Sequence, residues 1–250
     1  MRYPLILLLS ALIAVLTGCA TAPDKRDPFE PFNRKVYAFN ETADTAVIKP
    51  AAEAYTKVVP SPVRAGVHNF LGNLKEISYL VNNLLQGKVE GAAISMGRFT
   101  FNSTLGLAGL IDLMTPVGFP ARPEDFGQTL GKWGVKPGPY LVLPLFGPST
   151  LRDTAGMVAD TATSINAPAS EPAARYGVLA IGAVDKRAEL LGASEVLDSA
   201  ALDPYTFLRD AYLQKRIAEI YDGNPPSTVD PDDPFADDSK ASQPASPPAP

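Results

Sequence analysis

The stretch DPFEPFNRKVYAFN, residues 27–40, decides the reading of the fold. Asp27, Pro28 and Glu30 have the form of a helix start: a capping oxygen, a proline at the first helical position and an acid in the first turn. Phe29, Phe32, Val36, Phe39, Ala43 and Val47 then recur at spacings of three and four, which gathers them on one helical face. Pro50 is expected to break this helix and to open a shorter one through Val58. Ser61-Pro62 repeats the cap-and-proline signal ahead of Val63, Val67, Phe70, Leu71 and Leu74. Ile77, Leu80, Val81, Leu84 and Leu85 form another stripe, which Gly87 ends as a C-terminal cap. Residues 88–104 continue as helix, and Leu107 to Leu113 is a short apolar segment.

Further along, the texture changes. From Thr115 to Pro148 glycine and proline recur every few residues, so turns and short helices are expected, with only Tyr140 to Leu145 extended. Ser149 to Asp153 reopens a helix, and residues 172–191 and 204–222 add two long ones, the second capped by Asp203-Pro204. After Gly223 the chain is rich in Pro, Asp, Ser and Ala, too poor in large apolar groups to offset its ordering entropy, so residues 224–250 read as a disordered tail. The expected fold class is all-α: a single domain over residues 27–223, built of short amphipathic helices with a Gly/Pro-rich central insert. One-sided helices of this kind bury their apolar faces in a common core or lay them on a lipid interface. Periodicity does not choose, and a core is the commoner destination.

The N-terminus has a different logic. Arg2 precedes an apolar run from Leu5 to Leu16 broken only by Ser10, a secretory signal too short to be a spanning helix. It ends in Leu16-Thr17-Gly18-Cys19, which looks like a lipobox: small residues before the cut, then a thiol that takes up the diacylglyceryl group. Residues 1–18 are thus a signal peptide, Cys19 the lipid-modified first residue, and residues 19–26 a polar tether. Ala20 and Thr21 lack the aspartate of inner-membrane retention, so the outer membrane is the expected address, on its periplasmic side.

Composition narrows the chemistry. The chain has 22 basic and 27 acidic side chains; removal of residues 1–18 takes away only Arg2 among them, and an acidic remainder argues against nucleic acid as a partner. Cys19 is the one cysteine, so a disulfide framework and a cysteine-based zinc site are excluded; His68 is the one histidine, so a histidine-rich metal site is excluded too. Gly127 to Lys132 is not a phosphate loop, since three residues rather than four separate its glycines and Trp133 follows the lysine. No nucleophile elbow accompanies His68, which reads as a core-edge or surface residue, and Glu124-Asp125 reads as a cap for the helix that follows. No cofactor and no catalytic constellation is expected.

Several stretches together resemble one known family. DPFEPFNR (27–34), YAFN (37–40), NFLGNL (69–74), LLQG (84–87) and RFTFNSTLG (98–106) are similar to the MlaA (VacJ) lipoproteins. DFGQTLG (125–131) and GPYLVLP (138–144) are the most specific, and GPSTLRD (147–153) and DPY (203–205) carry the resemblance to about residue 222. It implies a ring of helices lying within the inner leaflet of the outer membrane, with an amphipathic channel. It further implies removal of phospholipid misplaced in the outer leaflet, a trimeric porin as neighbour, and transfer to a soluble periplasmic carrier, MlaC. On that implication the apolar faces meet lipid rather than a core.

A charged headgroup crossing hydrocarbon needs polar company. Asn33 and Asn40, near one edge of the first stripe, and Asn82, Asn83 and Asn102, which interrupt apolar helices, fit a polar channel wall; each fits equally a helix-edge asparagine bonded to backbone. The resemblance puts Phe39 and Asn40 at the channel as gating residues, with Gly134, Pro137, Gly138 and Pro139 a plausible hinge. Two other classes stay open beside lipid transfer: a porin-associated structural lipoprotein without its own channel, and a periplasmic lipid hydrolase using His68.

Overall fold

The computed structural model describes residues 24–163, 172–200 and 202–226. The expected signal peptide, Cys19, residues 20–23 of the tether and the tail from residue 227 lie outside the described residues. In chain order come α1 (Glu30–Ala43), a π-helical turn (Asp44–Ile48), α2 (Lys49–Val58), α3 (Ser61–Leu85), α4 (Val89–Thr104) and α5 (Phe126–Lys132). Strands β1 (Tyr140–Leu143) and β2 (Gly147–Thr150) follow, then α6 (Leu151–Thr163), α7 (Pro172–Ala200) and α8 (Pro204–Ile220). The fold is helical with one small antiparallel hairpin, Tyr140 opposite Thr150 and Leu143 opposite Gly147. No described helix is both long and apolar enough to cross a membrane.

Local signals place most elements, with instructive exceptions. Asp27 does not cap α1, which begins at Glu30; its carboxylate is fully buried and accepts from Asn33 and from the Tyr205 hydroxyl. Pro50 does not break the rod. The turn before it widens, Lys49 N–H bonding back to Asp44 O, and the proline follows directly on that widened turn, at the start of α2. The two stripes over residues 63–85 belong to one 25-residue helix, because nothing between them stops a helix. Gly87, at φ 73°, ends it as expected, and Lys88 N–H reaches back to Asn83 O. Gly147 to Thr150 is strand rather than helix; the Thr150 hydroxyl accepts from Asp153 N and caps α6. Asp203 caps α8 through Tyr205 N. Residues 24–26 of the expected tether are docked: Arg26 O accepts from Tyr140 N, and Asp24 pairs with Arg209.

Burial is inverted relative to a water-soluble domain. Among the described residues, eight apolar side chains are buried against twenty polar or charged ones. The buried positions of α3 are Asn73, Glu76, Ser78, Asn82 and Asn83, every one polar. Meanwhile Phe32, Phe39, Leu84, Met96, Phe101 and Phe146 are exposed. The apolar core is a small cluster of Tyr140, Val142, Tyr205 and Leu213, where β1 meets α1 and α8 through edge-on tyrosine contacts. The stripes that periodicity assigns most readily to a core are thus half-buried or exposed, with Phe32, Phe39, Val47, Val63, Leu84 and Leu85 open, while the polar edges point in.

Candidate functional site

α1 holds β1 with two side-chain amides. Asn33 donates to Tyr140 O at 3.0 Å and to Asp27 at 2.8 Å, and its own carbonyl accepts from Val142 N at 3.0 Å. Two helical turns on, Asn40 donates to Leu143 O at 3.0 Å and accepts from Leu145 N at 2.8 Å. Each primary amide carries a donor and an acceptor like a peptide group, so the pair stands in for a third strand and satisfies the free edge of β1. Phe39, beside Asn40, points outward and is half exposed. Asn40 also borders a small cavity of 200 Å³ at the hairpin.

The other asparagines work in the same way. Asn82 donates to Ser78 O and Asp160 and accepts from the Thr129 hydroxyl, joining α3 to α5 and α6. Asn83 donates to Tyr79 O and Arg122 O. Asn102 donates to Asp112 and accepts from Leu113 N, holding the loop after α4. In the Gly/Pro block, Pro137 O and Pro139 O accept from Arg152 N and Leu151 N at the start of α6. Gly138, at φ 66°, lies close to Leu151, whereas Gly134, at φ 88°, has open space around it.

Charged pairs, not greasy contacts, tie the interior. Arg98 on α4 binds Glu76 on α3 and reaches Asp112, the Thr115 hydroxyl at 2.9 Å and Phe119 O at 2.9 Å. One guanidinium thus straps the apolar loop 105–119 to the helix pair. Burial pushes the Glu76 carboxyl up despite its arginine partner. Burial also acts against ionised Asp112, but hydrogen bonds from Thr115 and Arg98 outweigh it and bring that carboxyl down to about 2. On the far side, Arg216 of α8 clasps Asp125 through two parallel bonds of 2.7 and 2.8 Å and meets Asp153 at 3.0 Å. Asp125 caps α5 through Gln128 N, as read from the sequence. Gly156 lets α6 reach α5; a Cβ there would meet Gly127 N at 2.3 Å.

The largest cavity that α3 borders, 760 Å³, lies at its C-terminal end beside Asn83, Lys88 and Glu124. Two more flank its middle. The larger of these two, 530 Å³, lies between α3, α4 and α7 and is lined both by polar Glu76, Arg98 and Asp112 and by apolar Leu71, Val178 and Leu179. The other, 390 Å³, lies between α3, α6 and α8, beside Ser78, Asp160 and Arg216. Lys75 and Tyr79 line both. Burial, reinforced by Glu76, pushes the Tyr79 hydroxyl up to about 12, so it stays a neutral donor. Of the residues singled out from sequence, Asn102 lines the 530 Å³ cavity and Asn40 the hairpin cavity; Asn33 and Asn82 line neither of the two beside the middle of α3. Lys75, Glu76, Tyr79, Arg98 and Asp112 were not legible as a site. The available signal was charge inside otherwise apolar helices, Glu76 and Arg98 above all. His68 stands at the rim with Asp185 and Glu189.

Comparisons with known proteins agree with this architecture. The family described as MlaA lipoprotein matches residues 25–219. The chain is 37% identical over 209 residues to "Intermembrane phospholipid transport system lipoprotein MlaA" of Escherichia coli (strain K12), covering 80% of this chain and 82% of that one. The protein of the same name in Haemophilus influenzae is 35% identical over 234 residues, 86% of this chain and 91% of the other. A chain solved in "Structural basis for maintenance of bacterial outer membrane lipid asymmetry" superposes with a TM-score of 0.69 at 35% identity, covering 79% of this chain and 99% of that one. With its helical fold, its inward polar network and this extent of match, the chain belongs to the MlaA lipoprotein family.

Proposed function

We propose that this protein moves phospholipid between membranes without changing a covalent bond, taking lipid misplaced in the outer leaflet of the outer membrane and passing it to a soluble periplasmic carrier. One observation carries the reading: the outside is apolar and the inside polar. Exposed Phe32, Phe39, Phe101, Leu105, Leu107 and Phe146 suit hydrocarbon, as does the hairpin tip. Inside, the 530 Å³ cavity has the polar and apolar lining a phospholipid needs. Its tails lie against Leu71, Val178 and Leu179 while the headgroup meets Glu76, Arg98 and Asp112. Lys75, which borders both cavities at the middle of α3 and has no carboxylate partner among the described residues, offers its ammonium to the lipid phosphate between them. In this reading Cys19 carries the acyl anchor, and Phe39 and Asn40 border the moving hairpin, with Gly134 its free hinge position and residues 137–139 its fixed one. The porin neighbour and an MlaC-like carrier rest on family resemblance.

The test is a transfer assay with the full lipoprotein in phosphatidylethanolamine–phosphatidylglycerol vesicles and a soluble lipid-binding acceptor. Lys75→Glu should slow extraction about tenfold, the effect of roughly 1–2 kcal/mol of lost attraction at a partly solvated charge. The fold should be unchanged, since Lys75 is exposed and unpaired. A wild-type protein that moves no lipid would leave the scaffolding role, and release of lysophospholipid or fatty acid would point to hydrolysis.

A further inference from the structure

α7 meets α3 at a polar contact on the rim of the 530 Å³ cavity. His68 on α3 directs Nδ1 at Asp185 Oδ2, 3.1 Å away, and at Glu189 Oε1, 2.8 Å away, both on α7. The ligating atoms of the three residues all lie within 4.8 Å of one another. A ring nitrogen carries at most one proton, so it can satisfy one of two converging carboxylates well, not both. The second oxygen of each carboxylate is already engaged. The Tyr55 hydroxyl of α2 donates to Asp185 Oδ1 at 3.3 Å, and Lys186 Nζ donates to Glu189 Oε2 at 3.1 Å. These outer contacts turn the two remaining oxygens toward the imidazole, which is how metal-binding carboxylates are oriented. Asp185 is buried, whereas the His68 side chain is 54% exposed at the cavity rim, so an ion has a way in and water has room to complete its shell.

We propose that His68, Asp185 and Glu189 form a binding site for a divalent transition metal of the zinc class, clipping α7 to α3. One imidazole and two carboxylates suit zinc; calcium and magnesium take oxygen ligands, and copper(I) prefers sulfur. Ligands about 2.0–2.2 Å from zinc in a tetrahedron stand roughly 3.3–3.6 Å apart. The observed 2.8 and 3.1 Å from the imidazole must open by less than about 1 Å, and the two carboxylate oxygens, like every pair in the set, already lie within 4.8 Å of each other. The ion replaces one shared proton with two positive charges between two anions. The site stands independently of the lipid-transfer reading, because its ligands are complete without lipid.

His68 is the only histidine in the chain, which gives the experiment a single-site readout. Mature lipoprotein in detergent, carrying no polyhistidine tag, is titrated with cobalt(II) and then zinc. One equivalent of cobalt should develop ligand-field absorption that zinc abolishes. His68→Ala and Glu189→Gln should each weaken binding by more than 100-fold. Tyr55→Phe, which keeps the packing and removes only the outer hydrogen bond, should weaken it about 10-fold. In the unmutated protein, zinc should shield His68 from diethylpyrocarbonate, a measurement that survives any variant's failure to fold. Cobalt binding in wild type no tighter than in His68→Ala, or a His68 modification rate unaltered by zinc, overturns the proposal.

Discussion

Helices α1 and α3 both turn asparagines inward, yet the two interiors differ in what they leave unused. Along α1, Asn33 gives donor and acceptor alike to β1, and Asn40 gives its donor to β1 and its acceptor to the turn that follows. Along α3, by contrast, Asn73 Oδ1 and Glu76 Oε2 are buried with no hydrogen-bond partner among the described residues, and Glu76 borders the 530 Å³ cavity. Saturated amides are scaffold, even though the buried Tyr140 hydroxyl beside them has no hydrogen-bond partner among the described residues. An interior with spare capacity beside a cavity can accept a polar guest, and on this molecule the two kinds lie on helices separated by the π-helical turn and α2.

The largest way to break that contrast is to remove the strap. Arg98→Met leaves Glu76 and Asp112 without their shared cation and should destabilise the protein by about 3–5 kcal/mol, read by chemical unfolding in detergent. Replacing Glu76 as well, as Arg98→Met with Glu76→Leu, should recover part of that loss. Equal losses in the single and double variants would mean that the pair is not coupled. Next comes the bracket. Asn33→Ala strands Tyr140 O and Val142 N in a buried place and should cost about 2–4 kcal/mol, while Asn40→Ala should cost about 1–2 because water can reach Leu145 N. A costlier loss at Asn40 than at Asn33 would refute the picture of a closed inner edge.

The smallest effect is in pH. Asp112 sits below its ordinary value, at about 2, so its stabilising contribution is complete above about pH 4 and is lost as pH falls through 2. Glu76 is raised, so its term runs the other way: present at low pH and fading as pH climbs through its folded value. Protection of the Met114 and Thr115 amides, whose N–H groups donate to Asp112, measured against their intrinsic exchange rates, should fall only below about pH 4. A loss of protection between pH 8 and 5 would mean that another group holds the loop.

Sequence carried the helices well wherever the cause is local. Gly87, Asp203 and the cap at Asp125 need only neighbours within a turn, and all three are where the pattern placed them. The family, too, was legible in DFGQTLG, and the structure gives part of the reason: Gly127 is closed in by Asp153, Arg216 and the passing backbone of Gly156. The direction of each stripe was legible only through the family resemblance and not in the pattern itself, since a lipid-facing helix and a core-facing one share the same period. Nor was the cavity, which needs α7 brought against α3 across more than a hundred residues. Asparagine at positions 33, 40, 82 and 102 looks alike in sequence; only the partner distinguishes strand mimicry from loop tethering. Pro50 misled because a single widened turn accommodates what a regular helix would reject.

That widened turn is also a phase shifter. An α-helix advances about 100° per residue, so one additional residue in a turn resets the azimuth of everything beyond it. On the near side of Asp44–Ile48, Asn33 and Asn40 are aimed at β1; on the far side, Ala52 is buried and Tyr55 reaches Asp185 on α7. Asp44 itself, at the step, is held by Arg187 of α7 at 2.8 Å. A rod of constant pitch would keep one of these two appointments and miss the other. Losing a single residue from the turn would therefore leave both helices intact and the molecule between them out of alignment.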